Sequence, residues 1–280
     1  MIGHALAQKL EVSGVTVAAT SRRHDRGPKD EFLDLAEPKE AWPTLPQAKV
    51  WVFVAAVARL AACRKDPQAS YRVNVSAVEA LLSCAAAQKA RSVFLSSDQV
   101  FDGRQPHRSE DDPTCPRSEY GRQKAISEKI VHMASKENLV IRLTKVLAPN
   151  DDLFVSWRDA LSRGEQISPF TDKTFAPVSL STVVDGIVTA IQQKISGTLQ
   201  FSGPTDTTYA KAAYDFASIT HARPELVVPV ASADLGIPPE ERPAFTSLDT
   251  RRARRLLNIE FAAPNDLIAQ IANTPKHQQG

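Results

Sequence analysis

Ser92-Val93-Phe94-Leu95-Ser96-Ser97-Asp98-Gln99-Val100-Phe101-Asp102-Gly103, followed by Tyr120-Gly121-Arg122-Gln123-Lys124, is the stretch on which the reading of this chain turns. Residues 92–96 form an apolar run that predicts a strand ending on hydroxyls, and residues 120–136 predict a helix. Side chains at i and i+4 share one helical face, so Tyr120 and Lys124 are able to act on one molecule. A phenol ordinarily ionises near pH 10, and a neighbouring cation favours the phenolate. A serine, a tyrosine and a lysine so arranged can polarise a carbonyl and pass it a proton.

Working outward, the same alternation continues. Residues 15–20 and 50–56 are continuous runs rich in β-branched residues, as buried parallel strands are. Residues 1–10 read as an amphipathic helix stopped by Ser13-Gly14, residues 74–87 as a long helix and residues 139–143 as a further strand. The pattern predicts an α/β fold with a doubly wound parallel sheet. Beyond Pro149 the regularity fades. Helices are predicted over 151–163, 179–193 (opening near a Ser/Thr cap), 209–219 and 249–257, with a short strand at 198–201. The prolines at 224, 229, 238, 239 and 243 mark an extended loop region.

Composition narrows the classes. The chain has 280 residues, 42% apolar and 24% charged, with a formal net charge of +2, ordinary for a globular protein and no signature of a nucleic-acid or membrane-surface partner. The longest apolar run, 50–58, ends at Arg59 and is too short to span a bilayer. Cys63, Cys84 and Cys115 are scattered without paired spacing, which argues against disulfides and a zinc site, and the histidines offer no metal-binding pair. No basic stretch with an apolar signal core opens the chain, so a cytoplasmic protein without a metal is expected.

The motif Ser-Ser-Asp-x-Val-Phe-Asp-Gly with Tyr-x-x-x-Lys resembles the extended short-chain dehydrogenase/reductase family, and within it the dTDP-4-dehydrorhamnose reductases and related sugar-nucleotide proteins. Further matching stretches are Tyr71-Arg72-Val73-Asn74-Val75, Arg142-Leu143-Thr144, Ser202-Gly203-Pro204, Arg242-Pro243 and Ser247-Leu248-Asp249-Thr250. The likeness covers nearly the whole chain. It implies a Rossmann-like nucleotide domain over 1–150, to which 179–193 returns, and a smaller substrate lobe over 151–280. Implied roles are Ser97 holding the substrate carbonyl, Tyr120 as general acid, and Lys124 tuning the phenol and holding the nicotinamide ribose. Asn74 matches the family's structural asparagine, Ala55-Ala56 its small-residue loop against the cofactor, and Asp34 an adenine-contacting acid. Asp98 and Arg242 fall among the substrate contacts.

Met1-Ile2-Gly3 resembles the tail of the family's Gly-x-x-Gly-x-x-Gly turn, with Gly3 as its third glycine. The strand and two glycines that would precede it lie outside this sequence. Either the recorded start lies downstream of the true one, which is the favoured expectation, or the protein is a shortened, cofactor-poor relative. In both cases the two strands flanking that position should show unpaired backbone. After the strand at 15–20 stands Ser21-Arg22-Arg23 with no acid. Arg22 and Arg23 suit a 2′-phosphate, so NADP(H) is expected and NAD(H) is the alternative.

Gln99 discriminates within the family. Dehydratases place a Glu there as an additional acid and base, and an amide exchanges no proton usefully. Dehydration is therefore disfavoured, while the reductases usually carry Tyr there, so Gln99 departs from them as well. An NADPH-dependent reductase of a 4-keto-6-deoxy sugar nucleotide, compatible with a homodimer, is the leading expectation. A non-catalytic dinucleotide- or sugar-nucleotide-binding regulator, as in the regulatory subunit of methionine adenosyltransferase, and an epimerase are the alternatives. The Arg251–Arg255 cluster reads as a solvated helix face.

Overall fold

The structure, a computed structural model, describes residues 1–22 and 30–274. Two compact units divide the chain: residues 1–101, 114–142 and 184–199 form the first, and residues 102–113, 143–183 and 200–280 the second.

In the first unit, helix α1 (Ile2–Val12) ends at Ser13 and at Gly14, whose φ of 77° breaks the helix. The expected buried strand at 15–20 is corrected. Only β1 (Ala19–Ser21) is strand, pairing in parallel with β2 (Asp30–Phe32), and residues 15–18 are irregular and largely exposed. An apolar run becomes a buried strand only where partners lie on both sides. Here β1 and β2 form a sheet of their own, while the main sheet runs in the order β3 (Val50–Phe53), β4 (Arg91–Ser97), β5 (Leu139–Leu143) and β9 (Gly197–Phe201).

From β3 the chain enters α2 (Leu60–Lys65), a short helix that the sequence reading did not predict. A continuous helical path then runs through α3 (Pro67–Tyr71), a π-helical turn at Arg72–Ser76 and α4 (Ala77–Ala87). It starts earlier than expected because Asp66 caps it, accepting the Ala69 N–H at 2.8 Å, with Pro67 at the first helical position. Next come β4 (Arg91–Ser97), parallel to β3 with Phe53 opposite Phe94, then α5 (Glu119–Ala134) and β5 (Leu139–Leu143). Phe53, Leu81, Leu82, Phe94, Val131 and Val140 form the core between sheet and helices.

The buried face of α5 is mainly polar: Tyr120, Gln123, Lys124, Ser127 and Glu128 line it. Glu128 and Arg142 form a forked ion pair at 2.9–3.3 Å, both almost fully buried, and the guanidinium sits 5.0 Å from the Phe101 ring. This pair fixes α5 to β5.

In the second unit the chain forms β6 (Val146–Leu147), α6 (Asp152–Ser162), β7 (Thr174–Phe175) and β8 (Val178–Ser179). Helix α7 (Leu180–Gln192) then leads into the first unit's segment, where Asp185 pairs with Lys9 of α1 at 2.8 Å. Strand β9 (Gly197–Phe201), β10 (Thr207–Thr208), α8 (Tyr209–Ile219), α9 (Arg251–Leu257) and α10 (Pro264–Ala272) complete the order. Ser179 caps α7 by accepting the Thr182 N–H at 3.0 Å, and Thr208 caps α8 through Lys211 N–H at 3.0 Å. Phe154, Trp157 and Phe216 meet at 5.1–6.3 Å between ring centres and anchor this unit's core.

Two sequence matches far apart in the chain are joins here. Asp206 accepts hydrogen bonds from the backbone and hydroxyls of Thr246 and Ser247, and Ser202 Oγ accepts the Leu248 N–H at 3.1 Å. A side chain at 203 would come within 2.4 Å of the Pro177 carbonyl, so glycine alone fits. The arginine-rich α9 is ion-paired: Arg251 with Asp249, Arg252 with Asp111 and Arg254 with Glu260.

Removing one partner of a buried pair leaves the other charged and desolvated. Glu128→Ala should therefore lower unfolding free energy by about 3–5 kcal/mol in denaturant titration, far more than loss of an exposed pair such as Arg163–Glu165.

Candidate active site

Strand β4 delivers Ser96 and Ser97 at its carboxyl end, on opposite faces. The two serines differ in environment. Ser97 Oγ donates to Asp98 Oδ1 at 2.9 Å and accepts the Gln99 N–H at 3.2 Å, and its hydroxyl is near enough to the Tyr120 phenol to bear on its ionisation. Ser96 Oγ is buried without a hydrogen-bond partner. The chain then makes one 3₁₀ turn, Asp98–Val100, in which Asp98 Oδ2 accepts the Gln99 side-chain amide at 2.9 Å.

Tyr120 stands in the first turn of α5, whose cap, Ser118, accepts the Gly121 N–H at 3.1 Å. A Cβ at residue 121 would lie 2.0 Å from the Gln99 carbonyl oxygen, so the helix start presses against the turn after Ser97. This contact seats Tyr120 beside the turn that follows Ser97. One turn on, Lys124 is buried, its Nζ donating to the Leu95 carbonyl at 2.5 Å and lying 3.9 Å from the centre of the Phe94 ring.

Electrostatics depart from the sequence reading, which had the lysine lowering the phenol. Burial, then the Asp98 charge and Cys63, push Tyr120 above the ordinary phenol range, and the nearby Ser97 hydroxyl only partly offsets them. Burial likewise pulls the Lys124 ammonium down to about 7, against an opposing pull from Glu128. The surroundings thus hold the phenol in its protonated, proton-donating form.

Behind the pair, Asn74 in the π-helical turn clasps the backbone of Val57, accepting its N–H at 2.8 Å and donating to its carbonyl at 3.0 Å. Cys63 is fully buried there and donates from Sγ to the Val57 carbonyl at 3.2 Å. Gln123, Gly121 and Cys63 all build this site and were not singled out by sequence reasoning. Gly121 carried a signal, standing beside the tyrosine where a helix favours almost any other residue. The other two had none.

The other expected residues each have a setting of their own. Gly3 sits in the first turn of α1, where an added Cβ meets only the Val54 side chain at 3.7 Å. Arg22 follows β1 and is exposed, Arg23 lies outside the described residues, and Asp34 Oδ1 accepts the Ala36 N–H at 2.9 Å. Ala55 is exposed and Ala56 half-buried just beyond β3. Arg242, in the second unit, pairs with Asp172 at 3.4 Å, and its Nε is buried without a partner. No cluster of three or more metal-ligating side chains occurs among the described residues, and no helix there is long and apolar enough to cross a membrane.

Two outcomes follow from the shifts. Asp98→Asn removes a negative neighbour that raises the Tyr120 pKa, so the phenol should titrate at lower pH, read as tyrosinate absorbance against the parent. For Lys124, the unfolded chain holds a proton between about pH 7 and pH 10.5 that the folded chain sheds, so stability rises with pH across that window. Lys124→Met should accordingly raise the melting temperature by several degrees, roughly ~5 °C, with the largest gain below pH 7.

Comparisons with known proteins give the family of the chain. The family model described as RmlD substrate binding domain matches residues 1–274. The chain is 28% identical over 279 residues to the dTDP-4-dehydrorhamnose reductase of Salmonella typhimurium, covering 94% of this chain and 90% of that protein. It is 30% identical over 205 residues to the Burkholderia thailandensis enzyme of the same name, covering 70% of this chain and 65% of that one. Among solved structures, a Bacillus anthracis dTDP-4-dehydrorhamnose reductase in complex with NADP superposes with a TM-score of 0.81 at 16% identity, over 96% of this chain and 94% of that one. The chain belongs to the family of the RmlD substrate binding domain, and its fold is that of the dTDP-4-dehydrorhamnose reductases.

Proposed function

We propose that the protein is an NADPH-dependent reductase of a 4-keto-6-deoxy sugar nucleotide, with Ser97, Tyr120 and Lys124 as its catalytic residues. The observation that carries this reading is a buried Tyr120, held protonated and seated against the turn after Ser97, in a chain of this family.

The residues present suit a dinucleotide. The start of α1 has no side-chain cap, so its first N–H groups are available to a diphosphate, and Gly3 keeps backbone close to the surface there. Arg22 supplies a guanidinium for a 2′-phosphate, Ala55 and Ala56 leave room for a flat ring system, and Asp34 and Asn74 complete the set. On this reading the first unit is the cofactor domain, and the second, with Arg242, is the substrate lobe. The protein works in the cytoplasm, as a homodimer.

NADPH, when bound, supplies the hydride. The chain's own groups handle the oxygen. Ser97 donates to the ketone oxygen and, as negative charge grows there, holds it in a low-dielectric setting where the bond is strong. Tyr120 gives that oxygen its proton. A raised phenol pKa keeps the proton available across neutral pH, and an alkoxide is a far stronger base than a phenolate, so the transfer runs downhill. Lys124, charged or neutral near pH 7, offers N–H donors beside the phenol.

Following NADPH absorbance with a dTDP-linked 4-keto-6-deoxy sugar tests the reading. Turnover is expected, with Tyr120→Phe slower by about 10²-fold or more. Absence of NADPH oxidation with every dTDP- or GDP-keto sugar, or equal rates in Tyr120→Phe and the parent, would overturn it.

A further inference from the structure

Between Tyr120 and Lys124 lies Gln123, a side chain with no exposed surface whose amide is engaged on both ends. Its Oε1 accepts Asn74 Nδ2 at 2.8 Å. Its Nε2 is shared among Ser70 Oγ at 2.9 Å, Glu119 Oε1 at 3.0 Å and the Pro67 carbonyl at 3.2 Å. Asn74 in turn holds Val57 by both backbone groups, directly after Ala55-Ala56. Ser127 Oγ adds a second tie, donating to the Asn74 carbonyl at 2.6 Å. An unbroken chain of hydrogen bonds therefore runs from the helix bearing the proton donor to the loop after β3.

Burying a primary amide is costly unless all its groups are paired, so a site needing only volume would be served better by leucine or methionine. Here every amide group is paired, with Asn74 in the π-helical turn, with Pro67 and Ser70 in α3, and with Glu119 one turn back on α5. The π-helical turn at Arg72–Ser76 widens the helix where Asn74 reaches both Val57 and Gln123, a distortion frequent at functional sites.

We infer that Gln123 is a positioning residue that sets, through Asn74, the register between the Tyr120–Lys124 helix and the Ala55–Val57 loop. This deepens the reductase reading and rests on it. The amide touches neither the ketone nor the reacting hydroxyl. It fixes where the proton donor stands relative to the loop against which the nicotinamide nucleotide lies. A displacement of about 1 Å at such a site costs up to about 10²-fold in rate.

The test compares Gln123→Met, close in shape but unable to bridge, with Val131→Ala, a core truncation on the same helix that leaves the amide network alone. Gln123→Met should lower kcat by about tenfold or more with little change in the KM for the keto sugar. NADPH affinity, measured by its fluorescence on binding, should fall several-fold, and hydrogen exchange at the Val57 amide should accelerate. Val131→Ala should lower stability yet leave kcat, NADPH affinity and Val57 exchange near parent values. If both variants lose activity only in proportion to stability, or Gln123→Met keeps parent kcat, affinity and Val57 protection, the inference is wrong. A parent without turnover would sink the reductase reading alone. Exchange at Val57 would still decide whether Gln123 holds the two segments in register.

Discussion

The close approach of α5 to the end of β4 is the constraint from which the site derives. Residue 121 has no space for even a methyl group beside the Gln99 carbonyl, and the neighbouring tyrosine is thereby seated at the turn after Ser97. A helix start set an ångström further out would leave the two hydroxyls to water. The phenol would then titrate as an ordinary tyrosine, since its shift comes first from burial and second from Asp98. Position and chemistry here share one cause.

Such a contact needs reinforcement, because a helix pressed against a turn through backbone gains little hydrophobic area. Reinforcement comes from polar groups that are fully paired. Lys124 reaches Leu95 in β4, Glu128 forks with Arg142 in β5, and Gln123 and Ser127 reach Asn74 in the preceding helix. Each bond is directional, so together they define one seating for α5, which an oily stripe would leave freer to slide. A buried ion pair adds little net stability over apolar residues of like shape, and specificity of seating is the better account of it in this protein.

These groups also mark where the sequence could and could not be read. The helix at 209–219, the strand at 139–143 and the stop at Ser13-Gly14 were legible because hydrophobic period, cap residues and glycine are local signals. The hydroxyl at the end of 92–96 and the spacing of Tyr120 and Lys124 were legible for the same reason. Illegible was what depends on partners distant in the chain. The pairing of Gln123 with Asn74, or of Asp206 with Ser247, has no local signature. The run at 15–20 misled because apolar β-branched residues signal a strand whether or not neighbours exist to bury it. Short α2 and α10 were passed over, although the Pro264 start and the Leu267, Ile268 and Ile271 stripe of α10 were available to periodicity.

Cys63 carries a last consequence. Its sulfur is sealed beneath the Val57 carbonyl, while Cys84 and Cys115 are only partly covered. Oxidants and alkylating reagents require a thiolate in contact with solvent, so this thiol is chemically silent as long as the loop after β3 stays closed over it. Its modification rate is therefore a clock for the opening of that segment, one that nature has installed within reach of the tyrosine and that no label need be added to read.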